Sequence, residues 1–316
     1  MSKHLTLEQV GSRLLQAQSL VLTFHISPDG DALGSALGLM RFLQAQGKAV
    51  TVLVDDLVPK AFSFLPGINQ VKAPVAGEQL EAELLVVLDA SSADRIGAVA
   101  DYVKAEAVLN IDHHISNTEF ADFLYLDAEA AATGEIMCEL FTTMGWSFDE
   151  ASALSFYTAI YTDCGSFRFS NTTSKTMSLA AKLLDYGVKP NLISDQLDVR
   201  SRETVELLGK VLPTLTFEKE GKIAYVSLSN DLYNKDIPTD SFVSYPRYIE
   251  GVDVAVLFKE VEPGITRVSM RSSAADVAKI ALSFGGGGHL RAAGCTINAP
   301  LEEAREQLLA ALRKEF

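Results

Sequence analysis

SLVLTFHISPDGDALGSALGLMRFLQAQGKAVTVLVD, residues 19–55, is the stretch of sequence that decides the fold. It starts with a short apolar run rich in β-branched residues, passes through a polar turn that contains proline and glycine, continues with a helical pattern and ends in a second β-branched run. A strand, a helix and another strand in that order are typical of a βαβ unit, whose two strands are parallel. Apolar runs at residues 83–88 and 107–111 continue the alternation. We therefore predict an α/β fold with a doubly wound parallel sheet, buried between helices on both faces.

The second part of the chain has a different character. Alternating apolar and polar residues surround a Glu-Gly turn at residues 220–221 and a Pro-Gly turn at residues 263–264, which predicts two hairpins. An earlier helical pattern ends at Gly187 and is followed by Pro190, residues typical of a helix stop. We therefore predict three segments: a first domain at residues 1–188, a charged helical linker at residues 189–213 and a smaller α+β domain at residues 214–316.

The composition bounds the class of protein. With 316 residues, 48% of them hydrophobic, the chain is long enough for two domains. Its 41 acidic and 27 basic side chains give a formal charge of −14. This charge disfavours long duplex nucleic acid as a partner, because the phosphate backbone is itself negative.

Cysteine use and hydropathy predict a cytoplasmic protein without a membrane span. Cys138, Cys164 and Cys295 are widely spaced and form no CxxC pair, so neither a disulfide framework nor a zinc knuckle is expected. Residues 1–18 lack the uninterrupted apolar core of a signal peptide, and no later stretch reaches about 18 apolar residues.

Residue types that bind metal ions follow three of the predicted strands. Because ligands bind outside the carboxyl ends of the strands in an open parallel sheet, polar residues at these positions are informative. One more acid follows a helical pattern, immediately before a glycine that permits a sharp turn. The candidates are His25, Asp29 and Asp31 after the first strand, Asp89 after a later one, Asp112, His113 and His114 after a third, and Asp163 after the helix.

Several carboxylates at one edge of a sheet repel one another and are costly to bury unless a cation neutralises them. Mixed aspartate and histidine ligands suit manganese, iron or zinc better than calcium. Pro28 and Gly30 shape a loop in which Asp29 and Asp31 can face different ions, while Asp89 can bridge both. The pattern therefore predicts a dinuclear metal site.

Each motif also has a structural interpretation. The motif at residues 25–35 can be a helix-capping turn with Asp31 as the N-cap. Asp89 alone can be an ordinary turn residue at a strand end. Two adjacent histidines after an aspartate, His113 and His114, are seldom only core residues. Four of the five histidines in the chain lie in these motifs or in the glycine-rich motif of the second domain, and this coincidence favours the functional interpretation.

The second domain contributes a glycine-rich motif, FGGGGHLRAAG, at residues 284–294. Its glycines can expose backbone N–H groups and let a phosphate or a base come close, while His289 and Arg291 supply charge. Arg271, in VSMRSS, is a candidate for bidentate phosphate binding. The alternatives are a flexible turn for the glycines and an exposed strand end for Arg271.

The motifs HISPDGDALGS, VVLDASS, IDHHISNT and YTDCGSF together resemble the four motifs of the DHH phosphoesterases, and residues 268–294 resemble their DHHA1 domain. The resemblance covers nearly the whole chain. Within the family, the compact two-domain length with GGGGH resembles the NrnA type, a bifunctional oligoribonuclease and 3′-phosphoadenosine 5′-phosphate (pAp) phosphatase.

The fourth motif departs from the usual TDTG of this family, since Cys164 stands in place of the threonine. We expect Cys164 to be a small, buried or half-buried neighbour of Asp163 rather than a nucleophile. A thiol exposed at this position would make the enzyme sensitive to oxidation.

The family pattern implies a role for each matched residue. It makes His25, Asp29 and Asp89 ligands of one manganese ion, and Asp31, Asp89, His113 and Asp163 ligands of the other. It places Asp112 where it orients an imidazole, and His114 against the scissile phosphate. In the second domain, the terminal phosphate or the base of a nucleotide would be held by Gly285, Gly286, Gly287, Gly288, His289 and Arg271.

The resemblance implies a hydrolase whose active site lies in the cleft between the two domains. Two divalent ions about 3.5–4 Å apart can share a bridging water and lower its pKa toward neutrality, so that it attacks phosphorus. We expect manganese-dependent release of 5′-mononucleotides from very short single-stranded RNA (nanoRNA), and dephosphorylation of pAp. Members of the family are often dimers, and the sequence itself leaves the oligomeric state open.

Three other functions fit part of the pattern. Phosphodiesterases that act on cyclic di-AMP or on linear dinucleotides share this architecture. An inorganic pyrophosphatase of the same superfamily would carry a basic Arg-Lys-Lys cluster in place of GGGGH, and we find none there. A nucleotide sensor that binds without cleaving has no chemical need for the complete set of metal ligands.

Overall fold

The structure of the protein is a computed structural model that describes residues 2–314. The chain divides into two compact units, Met1–Val199 and Arg200–Phe316. The segment expected to be a linker, residues 189–213, contains one helix of the first unit and one helix of the second. The domain bounds given by the sequence stay predictions.

The first unit is built on one parallel sheet, as the sequence predicts. As far as the chain is described, its strands are β1 (Lys3–His4), β2 (Ser19–Thr23), β3 (Ala49–Leu53), β4 (Val71–Lys72), β5 (Leu80–Leu88), β6 (Val103–Asp112) and β7 (Phe123–Leu126). Their spatial order is β1-β7-β6-β5-β2-β3-β4, and every neighbouring pair is parallel. The carboxyl ends of β2, β5 and β6 therefore lie side by side at one edge.

Helices cover both faces of this sheet, but unequally. The α-helices of the first unit are α1 (Leu7–Gln16), α2 (Gly30–Ala45), α3 (Val99–Tyr102), α4 (Thr133–Thr143), α5 (Glu150–Asp163), α6 (Ser174–Leu184) and α7 (Pro190–Asp198). Leu20 and Leu22 of β2 pack into the main core, where the long helices lie. The alternate residue Val21 points to the other face and packs with Ile96 and Val99. Short elements, rather than long helices, thus cover the second face.

Three glycines let α2 pack against α5 at very close range. A Cβ atom on Gly34 would collide with the backbone carbonyl of Ser155, and a Cβ atom on Gly38 would collide with the ring of Phe156. Gly30, at the start of α2, approaches Thr162 near the end of α5 in the same way. The two helices therefore run antiparallel, and the beginning of α2 lies beside the end of α5.

The second unit is a mixed sheet with helices. Its strands are β8 (Thr216–Glu218), β9 (Ile223–Leu228), β10 (Val254–Glu262), β11 (Ile265–Ser272), β12 (Gly287–His289) and β13 (Ala292–Ile297). The spatial order is β12-β13-β11-β10-β9-β8, in which only β9 and β10 pair in parallel. The helices of this unit are α8 (Arg202–Val211), α9 (Ser244–Arg247), α10 (Val277–Ser283) and α11 (Leu301–Leu312).

Both hairpins expected in the second unit are present. β8 and β9 are antiparallel, and the turn between them contains Gly221 with a φ of +88°. β10 and β11 are antiparallel, and Glu262 pairs with Ile265, which leaves Pro263 and Gly264 as the turn. The α+β prediction is confirmed. Within residues 2–314, no helix is both long and apolar enough to cross a membrane.

We expect the substitution Gly34→Ala to lower the free energy of unfolding of the first unit by about 1–3 kcal/mol, the usual cost of overpacking a core. The added methyl group would push α5 away from α2, since the atom that it meets belongs to the backbone. Denaturant unfolding followed by fluorescence measures this change, because Trp146 is the single tryptophan of the chain and packs against the core of the first unit.

Gly209→Ala is the matched control for this experiment. Gly209 lies inside α8, and a Cβ atom there would meet nothing within 4 Å. Because alanine is a better helix former than glycine, the free energy of unfolding of this variant should equal that of the parent or exceed it by up to about 1 kcal/mol. Unfolding followed by circular dichroism measures this difference. Wild-type stability of Gly34→Ala would show that the two helices do not need this close contact.

Candidate metal centre

The predicted metal ligands come together at the carboxyl edge of the first sheet. His25 follows β2, Asp89 follows β5, His113 follows β6 and Asp163 ends α5. Three groups have ligand atoms that all lie within 4.8 Å of one another: His25 with Asp29 and Asp89, Asp31 with His113 and Asp163, and Asp89 with His113 and His114. The structure therefore brings all the expected ligands into one cluster.

Asp89 lies at the middle of this cluster. One carboxylate oxygen, Oδ2, is 3.4 Å from Nε2 of His25, and the other, Oδ1, is 3.5 Å from Nε2 of His113. Its φ of +55° is unusual for a residue other than glycine, and its N–H group donates to the carbonyl of Ile111 on β6. The backbone is thus bent so that one carboxylate can face two imidazoles, as expected of a bridging ligand.

Both imidazoles are held by backbone carbonyls on their far side. Nδ1 of His25 is 2.8 Å from the carbonyl of Ile26, and Nδ1 of His113 is 3.2 Å from the carbonyl of Ala130. A neutral imidazole that donates its Nδ1 proton to a carbonyl presents the lone pair of Nε2 on the opposite side of the ring. In both histidines this Nε2 faces the carboxylates.

Asp29 and Asp31 have different local roles. Oδ1 of Asp29 accepts hydrogen bonds from the N–H groups of Asp31 and Ala32, both at 3.0 Å, so Asp29 is the N-cap of α2. The alternative interpretation with Asp31 as the N-cap is therefore wrong. Asp31 is 1% exposed, and its Oδ2 is 3.8 Å from Nε2 of His113.

The first turn of α4 holds Asp31 and Asp89. The N–H groups of Thr133 and Gly134 donate to the two carboxylate oxygens of Asp31 at 2.7 Å and 2.8 Å, and Oγ1 of Thr133 donates to Oδ1 of Asp89 at 3.1 Å. Sequence reasoning missed Thr133 and Gly134, because neither residue is charged. The only signal was the helix start at ATG, residues 132–134, which has no side-chain cap of its own.

Asp112 and His114 form a pair beside the cluster. Asp112 is completely buried, and its Oδ1 is 2.7 Å from Nδ1 of His114. Its Oδ2 accepts a hydrogen bond from the side chain of Asn117 at 2.6 Å. Asn117 was also missed, although it lies within the quoted motif IDHHISNT. Asp112 thus orients His114, whereas the backbone carbonyl of Ala130 orients His113.

The electrostatics of the cluster show that it lacks positive charge. Burial raises the pKa of Asp31 and of Asp163, and neighbouring carboxylates, Asp89 among them, raise both further. Burial also acts to raise the pKa of Asp89, but its hydrogen bond to His25 and the charges of the histidines outweigh burial and hold it below its usual range. Burial lowers the pKa of His25, but Asp29 and Asp89 raise it to about 11. A divalent cation would supply the missing charge, so the donor set fits one.

His114, like His25, has a pKa that neighbouring carboxylates raise above its usual value. Burial lowers its pKa, but the hydrogen bond with Asp112 and the charge of Asp89 raise it to about 9. Its side chain is 24% exposed, which is more than that of His25 or His113. His114 can therefore donate a proton or a hydrogen bond to a ligand.

The glycine-rich motif of the second unit differs from the expectation. The N–H groups of Gly285 and Gly286 donate to the carbonyls of Leu282 and Ala281 at the end of α10, so they are not exposed for a phosphate. A Cβ atom on Gly286 or Gly288 would collide with the backbone of β13. These glycines therefore permit close contact between two strands. Gly287 is exposed on β12, and the side chain of His289 lies outside the described part of the structure.

Arg271 lies on β11 and donates from Nη1 to the carbonyl of Met270 at 2.9 Å. Burial lowers its pKa, and the nearby charge of Arg247 lowers it further. A cavity of about 370 Å³ opens on the same unit, and its lining includes Lys259, Arg267 and Gly286. Neither Lys259 nor Arg267 was identified from the sequence, where each is a single basic residue in an alternating pattern.

Cys164 is buried, as the sequence predicts, so its thiol is not the exposed group that would be sensitive to oxidation. Asp163 is the last residue of α5, and Cys164 is its C-cap. The side chain of Cys164 is 0% exposed and lies within the main core. Burial raises the pKa of its thiol to about 12. The chain then turns through Gly165, Ser166 and Phe167, all with φ between +53° and +62°.

Comparison with known proteins agrees with this arrangement. The model of the DHH family, N-terminal domain, matches residues 19–165, and the model of the DHHA1 domain matches residues 220–316. The bifunctional oligoribonuclease and PAP phosphatase NrnA of Thermus thermophilus is 38% identical over 300 residues, which cover 94% of this chain and 90% of that protein.

Two further comparisons concern a longer protein and a solved structure. The cyclic-di-AMP phosphodiesterase GdpP of Geobacillus thermodenitrificans is 24% identical over 326 residues, which cover 96% of this chain but 48% of that protein. A crystal structure described as an exopolyphosphatase-related protein from Bacteroides fragilis is 27% identical, with a TM-score of 0.88 over 98% of this chain and 95% of that one.

We expect Cys164 to resist alkylation by iodoacetamide in the folded protein at pH 8. A thiol with a pKa of about 12 is ionised in roughly one molecule in ten thousand at that pH, and burial also excludes the reagent. Peptide mass spectrometry before and after unfolding in guanidinium measures the labelling. Cys295, which is 8% exposed and whose pKa burial raises to about 11, should react sooner. Rapid labelling of Cys164 in the folded enzyme would contradict its burial.

Proposed function

This chain belongs to the DHH family, and from that membership we propose that it is a metal-dependent hydrolase that releases 5′-mononucleotides from very short RNA and removes a phosphate from pAp. The observation that carries the proposal is the cluster of histidines and aspartates around Asp89, in which three groups have ligand atoms within 4.8 Å. The name of the Thermus relative, which aligns along nearly the whole of both chains, supports the choice of substrates.

We propose two divalent ions per chain, with His25, Asp29 and Asp89 as ligands of one and Asp31, Asp89, His113 and Asp163 as ligands of the other. Manganese suits this mixture of imidazole and carboxylate donors. Bound there, such ions would neutralise phosphoryl oxygens and lower the pKa of an attacking water.

The residues of the chain itself have separate tasks in this proposal. The Nδ1 hydrogen bonds of His25 and His113 to backbone carbonyls keep both rings facing the carboxylates. Asp112 keeps His114 oriented and protonated. His114 then donates its other proton, on Nε2, toward the phosphate oxygen that gains negative charge as the ester bond breaks.

The second unit offers the positive charge that a phosphorylated substrate needs. Arg267 and Arg271 are four residues apart on β11, so both side chains leave the same face of the sheet. Lys259 on the neighbouring strand β10 pairs directly with Arg267 in the register, and its Nζ forms an ion pair with Oδ1 of Asp240 at 2.8 Å. We propose that Arg271, the exposed Gly287 and this basic face hold the terminal phosphate of a short substrate. With a formal charge of −14, the chain as a whole disfavours a long polyanionic substrate.

The proposal is tested by the release of phosphate and mononucleotide from five substrates, with Mn²⁺ and with EDTA. These are pAp, a 5′-phosphorylated RNA trimer, linear diadenylate, cyclic di-AMP and pyrophosphate. We expect Mn²⁺-dependent cleavage of the trimer and of pAp, and no cleavage with EDTA. Cleavage of cyclic di-AMP alone would instead match the GdpP relative, of which this chain covers less than half. Binding of these compounds without cleavage would mean a sensor.

We expect Asp89→Asn to lower the single-turnover rate on pAp by roughly a thousandfold or more, because divalent ions contribute several kcal/mol to such reactions and Asp89 would bind both. Asp101→Asn, an equal change of charge at an exposed position of α3, is the control and should keep the parental rate. A parental rate in Asp89→Asn would exclude the dinuclear mechanism.

A further inference from the structure

We propose that Thr133 is a positioning residue of the metal centre, which fixes Asp31 and Asp89 relative to each other and thereby sets the affinity of the centre for divalent ions. This inference rests on the proposed function, in which both aspartates are ligands. It concerns a residue that has no charge and does not itself act as a ligand.

Thr133 contacts both aspartates through different groups. Its backbone N–H donates to Oδ2 of Asp31 at 2.7 Å, and its hydroxyl donates to Oδ1 of Asp89 at 3.1 Å. Its side chain is completely buried, so water does not compete for these bonds. One residue thus connects an acid from the start of α2 with an acid from the end of β5.

The surroundings of Thr133 make this connection rigid. The N–H of Gly134 donates to the second oxygen of Asp31 at 2.8 Å, so both oxygens of this carboxylate accept a backbone hydrogen bond. A Cβ atom on Gly134 would collide with Ala159 of α5, which shows how closely the first turn of α4 packs against that helix. Since α5 ends in Asp163, the same turn is in contact with the helix that carries a third predicted ligand.

The capping of α4 supports a role beyond packing. The residue before the helix, Ala132, has no side chain that can accept the N–H groups of the first turn. Asp31, distant in sequence, accepts them instead. The acids are thus held by directed hydrogen bonds, although burial and like charge favour their separation. Donors that orient metal ligands from behind commonly change metal affinity or activity by about 10–100-fold when they are removed.

A different interpretation is that the Thr133 hydroxyl is a buried polar group that only needs a hydrogen-bond partner and has no effect on the metal centre. Thr158 is the matched control for that case. It is also completely buried, on α5, but its hydroxyl donates only to the carbonyl of Leu154 in its own helix, at 2.8 Å. Changes at Thr158 therefore remove a buried hydroxyl without touching an aspartate of the cluster.

The test compares Thr133→Ser with Thr133→Ala, because both lack the methyl group and differ only in the hydroxyl. Metal-free protein is titrated with Mn²⁺ by calorimetry, without substrate. We expect Thr133→Ser to bind Mn²⁺ within about threefold of the parent and Thr133→Ala to bind it about 10–100-fold more weakly. Thr158→Ser and Thr158→Ala should both bind as the parent does. Thr133→Val, which keeps the shape of threonine, provides a second variant if the alanine variant does not fold.

Several results would overturn the proposal. Equal Mn²⁺ affinity of Thr133→Ser and Thr133→Ala would do so, as would an equal loss of affinity in the two alanine variants, which would indicate general damage to the core. A parent protein that binds no Mn²⁺ would overturn it together with the proposed metal centre. A parent that binds Mn²⁺, with the expected order of variants, but cleaves none of the substrates would leave Thr133 in its role and reject only the proposed activity.

In an active enzyme, a second measurement separates positioning from substrate binding. The Mn²⁺ concentration for half-maximal activity should rise about 10–100-fold in Thr133→Ala, whereas the KM for pAp at saturating Mn²⁺ should stay at the parental value. A higher KM with an unchanged Mn²⁺ requirement would place the effect on the substrate and contradict the proposal.

Discussion

Four aspartates, Asp29, Asp31, Asp89 and Asp163, are held close together although two of them are buried, and the contacts around them offset their repulsion. Asp31 and Asp89 are at most 2% exposed. Isolated buried carboxylates of this kind are so unfavourable that proteins pair, protonate or coordinate them. Both of these acids have partners: two backbone amides and a serine donate hydrogen bonds to Asp31, a threonine donates one to Asp89, and Nε2 of His25 and of His113 lies 3.4 Å and 3.5 Å from Asp89. These contacts restrain the acids, and the remaining negative charge is what makes the place suitable for divalent cations.

The contacts that keep the acids together belong to the core as much as to the site. Asp29 and Asp31 start α2, and Asp163 ends α5, so their separation depends on how closely these helices pack. That packing depends on glycines, since a side chain at Gly34 would meet the backbone of α5. The metal centre is therefore positioned by helix packing well below the surface, and a small change of volume there reaches the ligands through rigid helices.

The parts of the fold and site that the sequence predicts are those where one physical rule dominates. Parallel strands place their carboxyl ends at one edge, so Asp89 and His113 are predicted to meet although they follow different strands. Thr133 and Asn117 are uncharged, and the partner of Thr133 on α2 is 102 residues away, so no local pattern marks it. Asp29 and Asp31 both lie at the start of the same helix, and only the backbone geometry shows which one caps it. Likewise, Gly286 and Gly288 have the composition of a phosphate loop but permit close contact with β13.

The missing local cap of α4 has a consequence for how the protein folds. Because Ala132 cannot cap the helix, the first turn of α4 has no partner for its amides until α2, about a hundred residues earlier in the chain, has docked beside it. A turn of this kind gains little from local interactions and must wait for a contact of long sequence separation, which is slow to form. The same event that completes α4 also brings Asp31 next to Asp89. We therefore expect the centre to assemble late in folding, and a partly folded chain, with its acids still apart, to bind divalent ions more weakly than the native protein.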